Sequence, residues 1–159
     1  MPRTQTLRHA SLVGGILAGL MLSTVAFAGE CPADQMVADS SAKSDAGAKD
    51  VTDTVIGSID LAEEAPMLDG RLFRLRKLEI QPGGIVPWHS HEKRPALIYV
   101  VEGEIVEHSS TCAMPITHVA GDVAQETRAV SHWWENTGTK PVVLLSADIF
   151  PEEMDPGMM

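Results

Sequence analysis

The sequence predicts an all-β domain, for which a jelly-roll barrel (a double-stranded β-helix) is one closed arrangement. Three observations predict it. Short apolar runs punctuated by turn residues recur from about residue 55 onward. No helical periodicity of ten residues or more appears after the first 28. Two histidine-bearing segments have strand character and lie in separate runs. Many short antiparallel strands must close or stack to remove their edges, and a jelly roll does so.

Residues 1–28 stand outside that pattern. Arg3 and Arg8 form a basic start, 11–27 is an uncharged and mainly apolar run, and Ala26-Phe27-Ala28 is a small-residue cleavage signal. These are the parts of a secretory signal peptide cut after Ala28, which implies a periplasmic or secreted protein. An uncleaved anchor is the alternative, although the run is short for a spanning helix and contains glycines. No other segment is apolar enough to span a membrane, so no membrane partner is expected after cleavage. The formal charge is −10, and losing Arg3 and Arg8 would take it to −12. Such an acidic domain repels nucleic acid and anionic lipid, leaving small molecules and metal ions as expected partners.

Residues 29–54 are rich in Ala, Asp, Ser and Lys and read as a polar N-terminal segment. The barrel is placed at 55–150. Strands are expected over 55–61, 71–81, 85–91, 96–101, 104–108, 114–119, 123–127, 132–136 and 141–150. The turns between them include Met67-Leu68-Asp69-Gly70, Pro82-Gly83-Gly84, Glu92-Lys93-Arg94-Pro95 and Thr137-Gly138-Thr139-Lys140. Residues 151–159 form a C-terminal tail whose three methionines are a weak Cu(I) candidate. Cys31 and Cys112 are an even pair in a chain expected to be exported, which favours a disulfide. It would close a loop worth up to ~4 kcal/mol on the chain-entropy model. Two free thiols are the alternative.

Two segments carry the chemistry. The first runs from Gly83 through His89-Ser90-His91 to Gly103. The second runs from Gly121-Asp122 through His132 to Asn136. A strand alternates its faces, so His89 and His91 point the same way and can converge on one cation. His132 must be brought alongside by the fold. Written as G-x5-H-x-H with a glycine twelve residues later, and G-x10-H-x3-N, the pair resembles the two signature motifs of the cupin superfamily. That resemblance implies one metal ion on histidines from both motifs, here His89, His91 and His132. Three neutral imidazoles suit Fe, Ni, Cu or Zn, with Mn also compatible with the resemblance. They leave coordination positions free, as catalytic sites do.

One departure bears on mechanism. The family pattern places a glutamate seven residues before the closing glycine, where this chain has Ala96, with Pro95 as the neighbouring alternative. Neither can bind a metal. Glu92 is turned away from His91 by alternation unless a turn begins at once. A set of three imidazoles leaves the charge of a divalent ion uncompensated, which raises its attraction for an anion. The small Ala96 leaves space for a water or a ligand carboxylate. The opposing reading is that losing this ligand has retired the site.

The same alternation orients the remaining candidates. Trp134 shares a face with His132 and is a pocket or core residue, whereas Trp88 and Trp133 face away from their adjacent histidines. Tyr99 reads as structural. Arg94, in the turn, is either a carboxylate-binding fork or a solvated arginine, the latter being the simpler expectation. His108 and His118 match no motif position and read as surface histidines. Glu135 points away from the site. The expected pocket is therefore Ala96, Trp134 and Arg94 around the three histidines.

Two functions follow. One is a mononuclear metal enzyme of dioxygenase, isomerase or lyase type acting on a small substrate, anions among the candidates. The other is a non-catalytic module that captures a small molecule or metal. The resemblance also implies that a homodimer formed through strand edges is common.

Overall fold

The computed structural model describes residues 29–154; the expected signal peptide and residues 155–159 of the tail lie outside the described residues. The described residues form eight strands: β1 Lys49–Asp60, β2 Arg71–Ser90, β3 Ala96–Glu102, β4 Glu104–Ser109, β5 Ile116–Val119, β6 Val123–Glu126, β7 Ser131–Glu135 and β8 Val142–Pro151. A single helical turn, α1 (Leu61–Glu64), and a short 3-10 turn at Pro66–Leu68 link β1 to β2. Asp60 caps α1 through its carboxylate, which accepts from the Ala62 amide.

The sheet order is β5-β4-β7-β2-β8-β3-β6, every pairing antiparallel, with β1 added beside β2. The first half of β2 lies between β1 and β8, and its second half pairs with β7. This is the all-β jelly-roll architecture.

Two expectations change. The segments 71–81 and 85–91 are one strand, carried through the Pro82-Gly83-Gly84 signal by a bulge. Gly83 has φ +74, and a Cβ on Gly84 would lie 2.7 Å from Ile80 Cγ2 and 2.9 Å from the Asp50 carbonyl. The glycines bend the strand without ending it. The second change is at the polar segment 29–54, whose last six residues belong to β1. Lys49–Thr54 pair with β2, and Asp53 meets Arg76 across the pair. Polar composition concealed an outer strand.

The interior has two halves, readable along each strand. Ile80 and Leu78 on β2, Val100 and Ile98 on β3, Ala124 on β6, and Val142 and Leu144 on β8 form the apolar half with Ile105, Val86 and Trp134. Burying each large aliphatic among them contributes about 1.5–3 kcal/mol. Continuing with the same parity, the inward residues become Arg76 and Arg74, Ala96, Glu126, and Ser146 and Asp148, all buried. One row of Cα partners reads Glu126, Ala96, Asp148, Arg74 across β6, β3, β8 and β2. The disulfide joins Cys31 to Cys112 with Cα atoms 5.7 Å apart, fixing the N-terminal segment to the loop after β4.

Candidate metal centre

β2 and β7 are neighbours, and their register places His89 opposite His132. His91 follows at the end of β2, held by its amide to the Val130 carbonyl at 3.0 Å. The three side chains meet through their Nε2 atoms. These are 3.0 Å apart for His89–His91 and His91–His132, and 3.1 Å for His89–His132. His91 and His132 are buried and His89 is partly so.

The other ring nitrogens settle the tautomers. His89 Nδ1 contacts the Pro87 carbonyl and His91 Nδ1 the Arg94 carbonyl, each at 2.8 Å. A carbonyl only accepts, so both Nδ1 atoms carry the proton. His132 Nδ1 donates to Glu107 Oε1 at 2.8 Å. Each Nε2 therefore presents a lone pair, and the three face one another with a single long contact from a donor, the Trp134 indole N–H 3.4 Å from His132 Nε2. A cation is the group that relieves this. Nitrogens about 2.0–2.1 Å from one ion lie about 3 Å apart when their bonds meet near right angles, so the residues fit a metal. Burial, and then the neighbouring His132, hold His89 down to about 2; the same causes hold His91 down to about 3. Neutral imidazole, the metal-binding form, is thus maintained well into acid.

Behind the trio lies a carboxylate that the sequence gave no motif for. Glu107 on β4 accepts from His132 through one oxygen and from His118 Nε2 through the other at 2.9 Å. Burial alone would raise its pKa, but the two histidine hydrogen bonds hold it at about 2. A carboxylate that orients a ligating histidine also raises its basicity. His118, expected on the surface, is instead fully buried and stacked on Trp134 with ring centroids 4.6 Å apart. Its inward position follows from strand parity, since β5 alternates Ile116 and His118 inward. His108 is half-buried outside the barrel, stacked on Trp133 and bonded to Glu135.

The expected pocket residues divide. Trp134 lines a cavity of about 20 Å³ with the three histidines, Arg76, Leu78, Val86, Ile98 and Leu144, and its indole N–H lies 3.1 Å from His132 Nδ1. That volume is about one water. Ala96 is buried on the inner face between Glu126 and Asp148. Arg94 is not a solvated arginine: it is 2% exposed and its Nη1 lies 3.6 Å from Asp148 Oδ2. Burial, then Arg76, push its pKa down to about 10. Glu92 is exposed and belongs to neither metal-capable group among the described residues. Asn136, the last motif residue, is a structural clamp that donates to the Ile80 and Lys140 carbonyls.

Arg94 is one of a buried cluster. Arg74 holds Asp148 in a two-bond fork at 2.9 and 2.7 Å, and Arg76 holds Asp53 at 2.9 Å. Arg76 lines the histidine cavity, and its Nε makes no hydrogen bond, lying 3.7 Å from Asp148 Oδ2. Outside His91 a larger cleft of about 500 Å³ is lined by Arg71, Lys93 and Arg128 together with Asp69 and Glu92.

A β-barrel whose lumen converges three imidazole lone pairs from neighbouring strands defines a jelly roll with a site that could hold a metal. The chain belongs to the cupin family. A family model described as a cupin domain matches residues 76–148. The chain is 35% identical over 89 residues to the oxalate-binding protein of Thermotoga maritima, a match covering 56% of this chain and 70% of that protein. It is 32% identical over 88 residues to germin-like protein subfamily 2 member 2 of Arabidopsis thaliana, covering 54% of this chain. The chain spans about two fifths of the length of that plant relative, which the match covers to 40%. Among solved structures, a conserved protein with a double-stranded β-helix domain from Klebsiella pneumoniae superposes with a TM-score of 0.52 at 18% identity, over 67% of this chain and 81% of that one. That likeness concerns the fold alone.

Proposed function

We propose that this cupin is exported and binds a small carboxylate, oxalate first among them, at a divalent metal held by His89, His91 and His132. The observation that carries the reading is Arg76, a guanidinium on the same cavity wall as the three imidazoles, whose Nε–H makes no hydrogen bond and has its ion-pair partner, Asp148 Oδ2, 3.7 Å away. A divalent ion there has no anionic ligand of its own, because Ala96 stands where the family pattern has a glutamate. An anion meets the ion on one side and a guanidinium on the other. The name of the Thermotoga maritima relative supports oxalate as the first ligand to try. The Arg71, Lys93 and Arg128 cleft on an otherwise acidic chain favours an anion too.

The metal, when bound, would supply Lewis acidity, and if it were iron, redox chemistry. The chain's own residues orient: Glu107 fixes the His132 tautomer, and the Pro87 and Arg94 carbonyls fix those of His89 and His91. Export rests on the leader-like residues 1–28, and the Cys31–Cys112 disulfide agrees with an oxidising compartment. Turnover of the bound carboxylate, by an oxygenase or lyase reaction, is the second reading. A set of only three protein ligands favours it, since coordination positions stay open.

Calorimetric titration of oxalate into Mn²⁺-loaded and chelator-treated protein tests the proposal. Oxalate should bind the loaded protein, and binding should be lost in the metal-free form and reduced at least tenfold in Arg76→Lys. Equal binding with and without metal, or none in the loaded protein, refutes it. Oxygen uptake or CO₂ release with oxalate would select the catalytic reading over simple binding.

A further inference from the structure

Glu126 has no part in the histidine site, yet it is 2% exposed and one of its oxygens, Oε1, has no hydrogen-bond partner. Its other oxygen lies 3.3 Å from His132 Nδ1. Glu107 approaches the same nitrogen from a different strand at 2.8 Å. One ligand atom from each of Glu107, Glu126 and His132 lies within 4.8 Å of the others, and all three residues are buried. No lysine or arginine forms an ion pair with either carboxylate among the described residues. Two buried carboxylates without a fixed positive charge need a cation between them or a proton on one.

We infer a second cation site, formed by Glu107, Glu126 and the Nδ1 of His132, so that His132 bridges two ions through its two ring nitrogens. Two carboxylate oxygens and one imidazole nitrogen suit Mn²⁺ or Zn²⁺. The site opens toward a cleft of about 280 Å³, lined by Glu107 and Glu126 with Gly29, Glu30 and Cys31 of the disulfide-held N-terminal segment. That cleft leaves room for water to complete the coordination. Binding would displace the Nδ1 proton of His132 and any proton on Glu126 into solvent. Glu107, already bonded to His118 through its far oxygen, keeps that contact.

The two sites separate by mutation. Glu126 contacts none of the Nε2 atoms, and His89 contributes nothing to the second site. The chelator-treated full chain would be equilibrated with Mn²⁺, and in parallel with Zn²⁺, then freed of excess metal and assayed by mass spectrometry. The expected result is two ions per chain in the wild type, and one in each of Glu126→Ala, Glu126→Gln and His89→Ala. The Mn²⁺-loaded wild type should also give an exchange-coupled electron paramagnetic resonance spectrum, replaced in Glu126→Gln by an isolated six-line signal. One ion in the wild type that survives Glu126→Gln and is lost in His89→Ala overturns this inference and leaves the histidine site standing. One ion that survives His89→Ala and is lost in Glu126→Gln does the reverse. Glu126→Gln is nearly isosteric, so a folding defect in Glu126→Ala leaves the test intact.

Discussion

Acid should act on the metal-free protein in two opposite ways, and single substitutions should separate them. His89 and His91 titrate at about 2 and about 3 in the fold against 6.5 unfolded, whereas Glu126 is pushed up to about 9 from 4.5 by burial and by Glu107. Between pH 7 and pH 5 both histidines stay neutral in the fold while the unfolded chain takes up their protons. Their contribution to stability is therefore present above pH 6.5 and lost as pH falls, by about 2 kcal/mol each over this interval. Glu126 behaves inversely. It keeps its proton in the fold while the unfolded chain has lost it, so falling pH restores about 2.5 kcal/mol. The folded values lie outside the interval, so the magnitudes depend mainly on the unfolded ones. Urea unfolding of chelator-treated protein, followed by tryptophan fluorescence, should show a net loss of about 1.5 kcal/mol from pH 7 to 5. Glu126→Gln should lose about 4 kcal/mol. The His89→Gln, His91→Gln double variant should invert the sign and become more stable at pH 5 by about 2.5 kcal/mol. If the double variant loses stability as the wild type does, the histidines are protonated in the fold and the assignment of three converging lone pairs fails. If Glu126→Gln leaves the wild-type slope unchanged, Glu126 is ionised in the fold.

Three further outcomes are expected. Glu107→Gln should weaken metal binding at the histidine site by about 10–100-fold, measured by competition with a chromophoric chelator, because His132 loses its orienting carboxylate. Replacing Cys31 and Cys112 by Ser should cost about 2–5 kcal/mol in urea unfolding under oxidising conditions, since the bridge spans a sequence separation of 81; no change would mean that the N-terminal segment is held by its other contacts. Ala96→Glu should tighten metal binding and lower oxalate affinity at least tenfold in the same calorimetric titration, because the new carboxylate takes the ligand's place.

The histidine trio was legible because two independent regularities agreed. Strand alternation puts His89 and His91 on one face, and motif order brings in His132. The barrel was legible from its turns, but the polar stretch before Val55 concealed the start of β1, and a glycine bulge was indistinguishable from a chain reversal. What composition hid most was the polar half of the interior. His118 was expected on the surface, and no motif singled out Arg74, Arg76, Glu107, Glu126 or Asp148, all of them buried. Parity held the missing signal. Arg74 and Arg76 share it with Leu78 and Ile80, Glu107 with Ile105, Glu126 with Ala124, and Asp148 with Leu144. Alternation carried past the last apolar residue of each strand would have turned these groups inward.

That polar half gives the change at position 96 a physical meaning. Ala96 has Glu126 as its Cα partner on one side and Asp148 on the other, so inward carboxylates stand beside the vacancy on both flanking strands. Asp148 is committed to Arg74, Arg76 and Arg94 and cannot compensate an ion in the histidine trio. Glu107 can, but only through the imidazole of His132. Negative charge is thus withheld from the ligand side of the trio and supplied behind it. A metal so placed is held by a strengthened imidazole while its open face remains electrophilic, a face that Arg76 makes more attractive still to an anion. A glutamate on β3 would hold the ion as firmly and fill that face itself. On the proposed function, alanine at this position would trade one ligand for a place where an external carboxylate binds.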